Sequence, residues 1–343
     1  MGVNLRELLT KKEICLEDLR GKTVAVDAFN TIFQFLSTIR TPEGALLTDS
    51  KGNVTSHLIG LLSRTSSLVE HGINPVFVFD GTPPKLKAEE IARRKEVKVE
   101  AHKKYEEAAK EENIEEMKKY ASRTSVLTEA MLSDAKKMLS LMGIPVVQAP
   151  SEAEAQAAHI VKQGNAWAVA SQDYDSLLYA TPFLVQNLSI AGRKKKTKAG
   201  IVTVKPELTE LSQVLKELGV NQEQLICLAM LVGTDYNQGG VKGVGPKTAL
   251  KIVKEHKKPE KIFAEAKWDD NISIPWQYIF ELFTDMPVTD DYKLKWDLPD
   301  EDGMEEFLVN NRGFSQERIA KSIEMLSKYH ETKKQKNLGA WFG

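Results

Sequence analysis

Four short apolar runs each lead into acidic residues, and that recurrence limits the folds open to this chain more than any other feature. Residues 23–26, 75–79, 144–147 and 166–170 read as buried parallel strands. Residues 58–69 and 133–141 carry apolar side chains at three- and four-residue spacing, the pattern of amphipathic helices. The alternation predicts an α/β fold, a mostly parallel twisted sheet with helices on both faces. The first run ends at Asp27 and the second at Asp80. The third leads through a loop to Glu152 and Glu154, the fourth to Asp173 and Asp175. Open α/β sheets bind ligands beyond the carboxyl ends of their strands, so four strand ends would gather these acids on one rim.

Gathered carboxylates repel unless protons or cations neutralise them. With no cysteine or histidine cluster beside them, all-oxygen donors select magnesium or manganese over zinc or copper. Two such ions, roughly 4 Å apart, stabilise the attacking and leaving oxygens of a phosphodiester displacement. Single members have blander readings. Ser151-Glu152-Ala153-Glu154 fits a Ser-x-x-Glu capping box, and Asp173-Tyr174-Asp175 fits ordinary turn chemistry. A seventh acid, Asp235, sits in Gly233-Thr234-Asp235-Tyr236, after an apolar helix at 225–232.

The chain has 343 residues, 42% of them hydrophobic, enough for one large domain or two. No run of 18 apolar residues predicts a membrane span, and the Met1-Gly2 start lacks a signal peptide's pattern. Cys15 and Cys227 are too few and too far apart for a disulfide framework or a zinc site. His57 and His71 are lone and read as core or surface residues. Net charge is −1, from 47 basic and 48 acidic residues. The charges are unevenly spread. Arg193-Lys194-Lys195-Lys196-Thr197-Lys198 and Lys333-Lys334-Gln335-Lys336 are basic blocks, whereas Asp290-Asp291 and Asp300-Glu301-Asp302 are acidic. An acidic metal cleft and a basic nucleic-acid track can sum to zero in this way.

Residues 85–120 are densely charged with few large apolar side chains, so composition alone reads them as an exposed insertion. From residue 221 the pattern is mainly helical, with helices at 301–310 and 315–329. Ahead of them, Gly239-Gly240-Val241-Lys242-Gly243-Val244-Gly245-Pro246-Lys247-Thr248-Ala249 precedes a helix at 250–253. Backbone N–H groups left free at such a turn suit phosphate. The spacing is not that of a Walker loop. It resembles the hairpin of helix–hairpin–helix elements, which hold duplex backbone without reading sequence.

The chain as a whole resembles the flap endonucleases of the 5′-nuclease superfamily. The resemblance rests on Val26-Asp27-Ala28, Val78-Phe79-Asp80-Gly81-Thr82-Pro83-Pro84, Ala149-Pro150-Ser151-Glu152-Ala153-Glu154-Ala155, Ser171-Gln172-Asp173-Tyr174-Asp175 and Gly233-Thr234-Asp235-Tyr236. It implies a structure-specific enzyme that cuts 5′ flaps at the single-strand/duplex junction in replication (Okazaki fragment maturation) and repair, with 5′-3′ exonuclease activity. Asp27, Asp80, Glu152, Glu154, Asp173, Asp175 and Asp235 would hold two Mg2+ ions, with Mn2+ able to substitute. Lys87 and Arg94 match the basic pair that contacts the scissile phosphate.

The same resemblance organises the rest of the chain. It implies one nuclease domain over 1–330, with an N-terminal part at 1–100 and an internal part at 130–255. A helical arch or cap for the flap at about 85–130 replaces the inert insertion. A helix–two-turn–helix element at 235–255 would grip duplex DNA and bind K+, with Gly243, Gly245 and Lys247 as contacts. A helical part at 256–330 follows, then a flexible tail at 331–343. Phe33 matches an aromatic residue that stacks on a base, and Arg40, Thr55, Arg64, Arg312 and Arg318 match positions that hold the template strand and a short 3′ flap. Gln335, Leu338, Trp341 and Phe342 match a sliding-clamp-binding motif.

Branched DNA and a sliding clamp are thus the expected partners of a monomer without a membrane role. Ser50-Lys51 stand where the family often has acidic residues before Gly52, which puts its restriction on long 3′ flaps in doubt. The chain ends one residue past the clamp motif without the eukaryotic basic extension. An archaeal, cytoplasmic enzyme of the nucleoid is therefore expected, nuclear only if eukaryotic. Three rivals fit worse. A phosphatase would need Asp-x-Asp where Asp27-Ala28-Phe29 stands, and a non-catalytic scaffold would not need all seven acids. A sister nuclease for bubbles would not need the tail motif.

Overall fold

A computed structural model describes residues 3–88, 93, 100, 104, 107, 126–197 and 200–339. Arg94, most of the expected arch, and Trp341 and Phe342 lie outside the described residues. The strands are β1 (Lys12–Glu13), β2 (Thr23–Asp27), β3 (Asn74–Phe79), β4 (Val146–Gln148), β5 (Ala168–Ala170), β6 (Phe183–Gln186), β7 (Lys194–Thr197), β8 (Gly200–Thr203) and β9 (Glu207–Glu210). Seven form a mixed sheet in the order β1-β9-β6-β5-β2-β3-β4, while β7 and β8 pair as a separate hairpin. From β6 to β4 the pairing is parallel, and β9 and β1 add an antiparallel edge.

The helices are α1 (Ala28–Thr38), α2 (Ser56–Glu70), α3 (Glu129–Leu141), α4 (Ala153–Lys162), α5 (Asp175–Leu178), α6 (Leu211–Leu218), α7 (Gln222–Val232), α8 (Pro246–His256), α9 (Pro259–Glu265), α10 (Trp268–Asn271), α11 (Trp276–Thr284), α12 (Glu301–Met304) and α13 (Gln316–Gly339). They cover both faces of the sheet, and strand alternation explains how. Val24, Val26, Phe77 and Phe79 face a core with α1, α2, α3 and α13. Ala25, Val76 and Val78 face the other core, with α4, α7, α8 and α11. The chain leaves β2 toward β3 and β4 on one side and resumes with β5 on the other. The strand order therefore reverses between β2 and β5, the point at which open sheets leave a crevice for ligands.

The four expected strands form with edges moved by up to two residues, and Asp27 closes β2 itself. Strands β1, β6 and β9 and the hairpin, each two to four residues long, leave too short an apolar pattern for the sequence to flag. Lys194–Thr197 of the basic block form β7 of that hairpin. The helix expected over 301–310 begins as α12 and continues as a π-helix over Glu305–Asn310. The helix expected to end at Tyr329 runs to Gly339. No helix among the described residues is long and apolar enough to cross a membrane.

Candidate active site

Asp27 is both the end of β2 and the N-cap of α1, where its Oδ1 accepts from the Asn30 N–H at 3.0 Å. Asp80 follows β3 directly, and its Oδ1 accepts from the Ala153 N–H at 2.7 Å, at the start of α4. Glu152 caps α4 by its backbone, and Glu154 lies in that helix's first turn. Asp175 opens α5, and its buried Oδ1 accepts from the Val3 N–H at 2.7 Å. Four of the seven acids thus sit at a helix start, and Asp80 reaches one from its strand end, where backbone N–H groups favour negative charge.

The loops carrying these acids are locked together. Gly81 donates to Ser151 O and Thr82 N–H donates to Pro150 O, while Ser151 Oγ donates to Thr82 O. A side chain at Gly81 would drive into the carbonyls of Ala149 and Pro150, so only glycine fits beside Asp80. These bonds also dispose of the capping box: Ser151 is spent on Thr82, and Glu152, not Ser151, is the N-cap.

The remaining contacts bind one acid to the next. Ser171 Oγ lies 3.3 Å from Asp27 Oδ2 and 3.4 Å from Glu154 Oε1. Asn30 Nδ2 donates to Asp173 Oδ2 at 2.8 Å. The Lys87 ammonium pairs with Glu152 and lies 3.7 Å from Asp235 Oδ2. Asp235 itself is set in a turn tied by Thr234 Oγ1 donating to Asn237 Oδ1 at 2.7 Å and Asn237 Nδ2 donating to Met230 O at 2.7 Å. Asn30, Ser171 and Val3 were invisible to a search for charged residues. The only hint was two polar residues within three positions of a strand end.

Electrostatics confirm the crowding. Burial, and then the charge of Asp80, pushes the Asp27 carboxyl up to about 7. Burial and Asp173 push Asp175 up to about 7 as well. Glu154 is raised well above the usual range by burial and by Asp175 and Asp27. Burial raises Glu152 against the pull of Lys87. For Lys87 burial opposes the charge, but Glu152, Glu154 and Asp80 outweigh it and hold the proton tightly.

Among the described residues no three of these side chains close on one point as a finished ion cage. The donor set nonetheless fits hard divalent cations: it is all carboxylate, and the repulsion that raises these acids is what such a cation relieves.

The other expected contacts have their own settings. Phe33 is half-buried on α1, and Thr55 is buried at the start of α2. Arg40 Nη1 donates to Gly44 O at 2.7 Å, and Arg64 Nη1 reaches Ala191 O at 3.4 Å. Arg312 pairs with Asp134 at 2.7 Å and lies over the Phe307 ring, whereas Arg318 is exposed. Gly243 and Lys247 are exposed, and Gly245 is the N-cap of α8. Gln335 and Leu338 lie on α13. His57 is wholly buried, as a core residue.

An α/β sheet whose switch point gathers acids around a partly buried lysine defines a phosphodiester-hydrolysing class of site. The XPG N-terminal domain matches residues 1–101 and the XPG I-region matches residues 143–235. Those two spans contain all seven acids and Lys87. A flap endonuclease 1 of Pyrococcus abyssi is 52% identical, aligned over 100% of this chain and 98% of its own. A flap endonuclease-1 structure from Methanococcus jannaschii is 42% identical with a TM-score of 0.77, covering 97% of this chain and 100% of that one. The catalytic core of Rad2 in complex with DNA substrate is 25% identical with a TM-score of 0.69, covering 95% and 100%. The chain belongs to the flap endonuclease family of metal-dependent nucleases.

Proposed function

We propose that the protein is a structure-specific 5′ flap endonuclease that cuts at the single-strand/duplex junction and leaves a ligatable nick. The observation that supports this most directly is the seven-acid rim with Lys87 set among its members. Asp27, Asp80, Glu152, Glu154, Asp173, Asp175 and Asp235 would hold two Mg2+ ions, directly or through water. When bound, these ions lower the pKa of an attacking water and stabilise the leaving 3′ oxygen.

The chain's own residues do the positioning. Lys87 is held at the rim by Glu152 and Asp235, so its ammonium is aimed where the scissile phosphate must lie. Arg94 is assigned the same task. Asn30 and Ser171 fix the carboxylates of Asp27, Glu154 and Asp173. Arg93 Nη2 meets Gln238 Oε1 at 2.5 Å, which links the base of the charged segment to the glycine turn. The flap is taken to pass beneath that segment, while the turn at 239–249 holds duplex backbone by its N–H groups, with K+. Phe33, Arg40, Thr55, Arg64, Arg312 and Arg318 serve the template and 3′ flap. Gln335, Leu338, Trp341 and Phe342 dock a sliding clamp. The enzyme acts as a monomer in an archaeal cytoplasm and adds 5′-3′ exonuclease activity.

The test is cleavage of a 5′-labelled double-flap duplex, with Mg2+ against EDTA. A single cut at or one nucleotide inside the junction, dependent on Mg2+, is expected. Tight binding without cutting points instead to a scaffold. Cutting of plain single strands with no junction preference removes the gateway.

A further inference from the structure

Two buried hydroxyls meet among the apolar residues of the core shared by α4, α7, α8 and α11. Tyr179 is the C-cap of α5, four residues after Asp175, and Tyr236 follows Asp235 directly. Their hydroxyls lie 3.0 Å apart, and both side chains are buried. Both rings rest on Phe283 of α11, with centroids 5.5 Å and 5.2 Å away. Burial raises both hydroxyls above the ordinary tyrosine range, and the charge of Glu152 adds to this at each, so the pair lies within the field of the acidic rim. Phenylalanine at both positions would pack on Phe283 without burying a hydroxyl, and a buried hydroxyl is costly unless it is bonded. What two hydroxyls add is a directed contact of fixed length, whereas apolar surfaces can slide. The contact falls where such a tie is needed. Helix α7 meets α5 at its start, where Gln222 Nε2 donates to Leu177 O at 2.9 Å and to Leu178 O at 2.8 Å. Asp235 lies beyond the other end of α7, an 11-residue helix roughly 16 Å long.

We propose that Tyr179 and Tyr236 are positioning residues whose hydroxyl bridge fixes the Asp235 turn against α5 and so sets the separation of the two cation sites. The bridge rests on the nuclease reading above, in which Asp175 and Asp235 help to hold two ions. Two ions that share one phosphodiester must stand about 4 Å apart, and a misplacement of about 1 Å in a reacting site can cost a hundredfold. The other ties each serve one acid. Val3 N–H holds Asp175, and the Thr234–Asn237 contact shapes the turn that carries Asp235. The tyrosine bridge is common to both, because Tyr179 moves with α5 and Tyr236 with the turn. One hydroxyl donates and the other accepts, so removing either breaks the bridge and leaves the other buried without it.

The experiment uses the full-length protein with Tyr179→Phe, Tyr236→Phe and the double variant. Mn2+ is titrated into each by calorimetry. The magnetic coupling between bound Mn2+ ions, which depends on their separation, is read by electron paramagnetic resonance. The wild type is expected to bind two Mn2+ ions and to give a coupled spectrum. Either single variant should weaken binding of the second ion by about 3- to 10-fold, less than the roughly 10- to 100-fold lost with a group that touches the ligand itself, and should alter the coupling. The double variant leaves no buried hydroxyl without its partner, so its melting temperature should stand above those of the single variants. Its Mn2+ binding and coupling should nonetheless stay impaired. Wild-type binding and coupling in the single variants overturn the positioning role. So does a double variant that regains both along with its melting temperature, because the pair would then serve the core alone. A wild type that binds two coupled ions confines either failure to the bridge, while one that binds a single ion removes the two-ion reading as well.

Discussion

On the proposed function the acidic rim and the glycine turn both meet DNA, yet they are built on opposite principles. The rim is crowded and tied down: every fixed carboxylate accepts from a named donor, and burial with like charge makes the arrangement costly by itself. The turn has relaxed ends and one tight joint. Gly233 and Gly240 have positive φ, and a side chain on either would strike the backbone of the other's segment. At Gly245, by contrast, an added Cβ meets nothing within 4 Å, and φ is an ordinary −84°. A rim strained by its own charges calls for cations, whereas a turn with free space calls for something close to its backbone.

The largest expected effect breaks the rim. Asp175→Asn keeps an oxygen for the Val3 N–H but removes the charge. Mg2+-dependent cleavage should fall roughly a hundred- to a thousandfold, while the metal-free protein melts no lower than wild type. Activity near the wild-type level would remove Asp175 from the metal site.

The charge crowding itself has a pH signature. Without cations, folded Asp27 and Asp175 keep their protons up to about 7, while an unfolded aspartate releases its proton near 3.9. Between those limits the folded state binds more protons than the unfolded one. The stability from these groups is therefore complete below about pH 4 and is lost as pH rises through about 7. EDTA-treated protein should melt higher at pH 6 than at pH 8, and Mg2+ should raise the melting temperature more at pH 8. A cation effect equal at both pH values would mean that the acids are not crowded in solution.

How far each region can be read from sequence follows from the same contrast. Asp27, Asp80, Asp173 and Asp175 were legible because a buried strand is a run of apolar residues and its end has a fixed place in the sheet. The β6–β9 and β1–β9 pairings were not, because strands of two to four residues leave too short a pattern. Ser151-x-x-Glu154 misled in one respect. The spacing allowed a capping box, but the Ser151 hydroxyl found Thr82 O, a partner 69 residues away. Val3 could not be found at all, since a backbone N–H has no residue type.

Asn30 sharpens the comparison at the next scale down. Its amide holds Asp173 and its backbone holds Asp27, so Asn30→Ala removes one carboxylate's support and leaves the other's. Loss of such a supporting contact typically weakens metal affinity or activity by about 10- to 100-fold. Titration of the apo protein with Mn2+ by calorimetry should show weaker binding, and the Mg2+ concentration for half-maximal cleavage should rise while saturated turnover is largely restored. A loss that excess Mg2+ does not repair would assign Asn30 to the substrate instead.

The smallest effect is expected at the turn, and it separates the two regions most cleanly. Gly245→Ala has neither a clash nor a positive φ to oppose it. Replacing glycine at a compatible site reduces the freedom of the unfolded chain by about 0.4–1 kcal/mol, which offsets alanine's poorer capping of α8. The melting temperature should therefore hold. A Cβ at the N-cap of α8 would nonetheless stand off a phosphate from the N–H groups behind it, so duplex affinity should fall several-fold and turnover at saturating DNA should not. Gly240→Ala, with the same chemistry, would meet Leu231 O and Val232 and should lower the melting temperature instead. If both variants only destabilised the protein, glycine at 245 would be there for the fold, and the turn would lose its claim to a backbone partner.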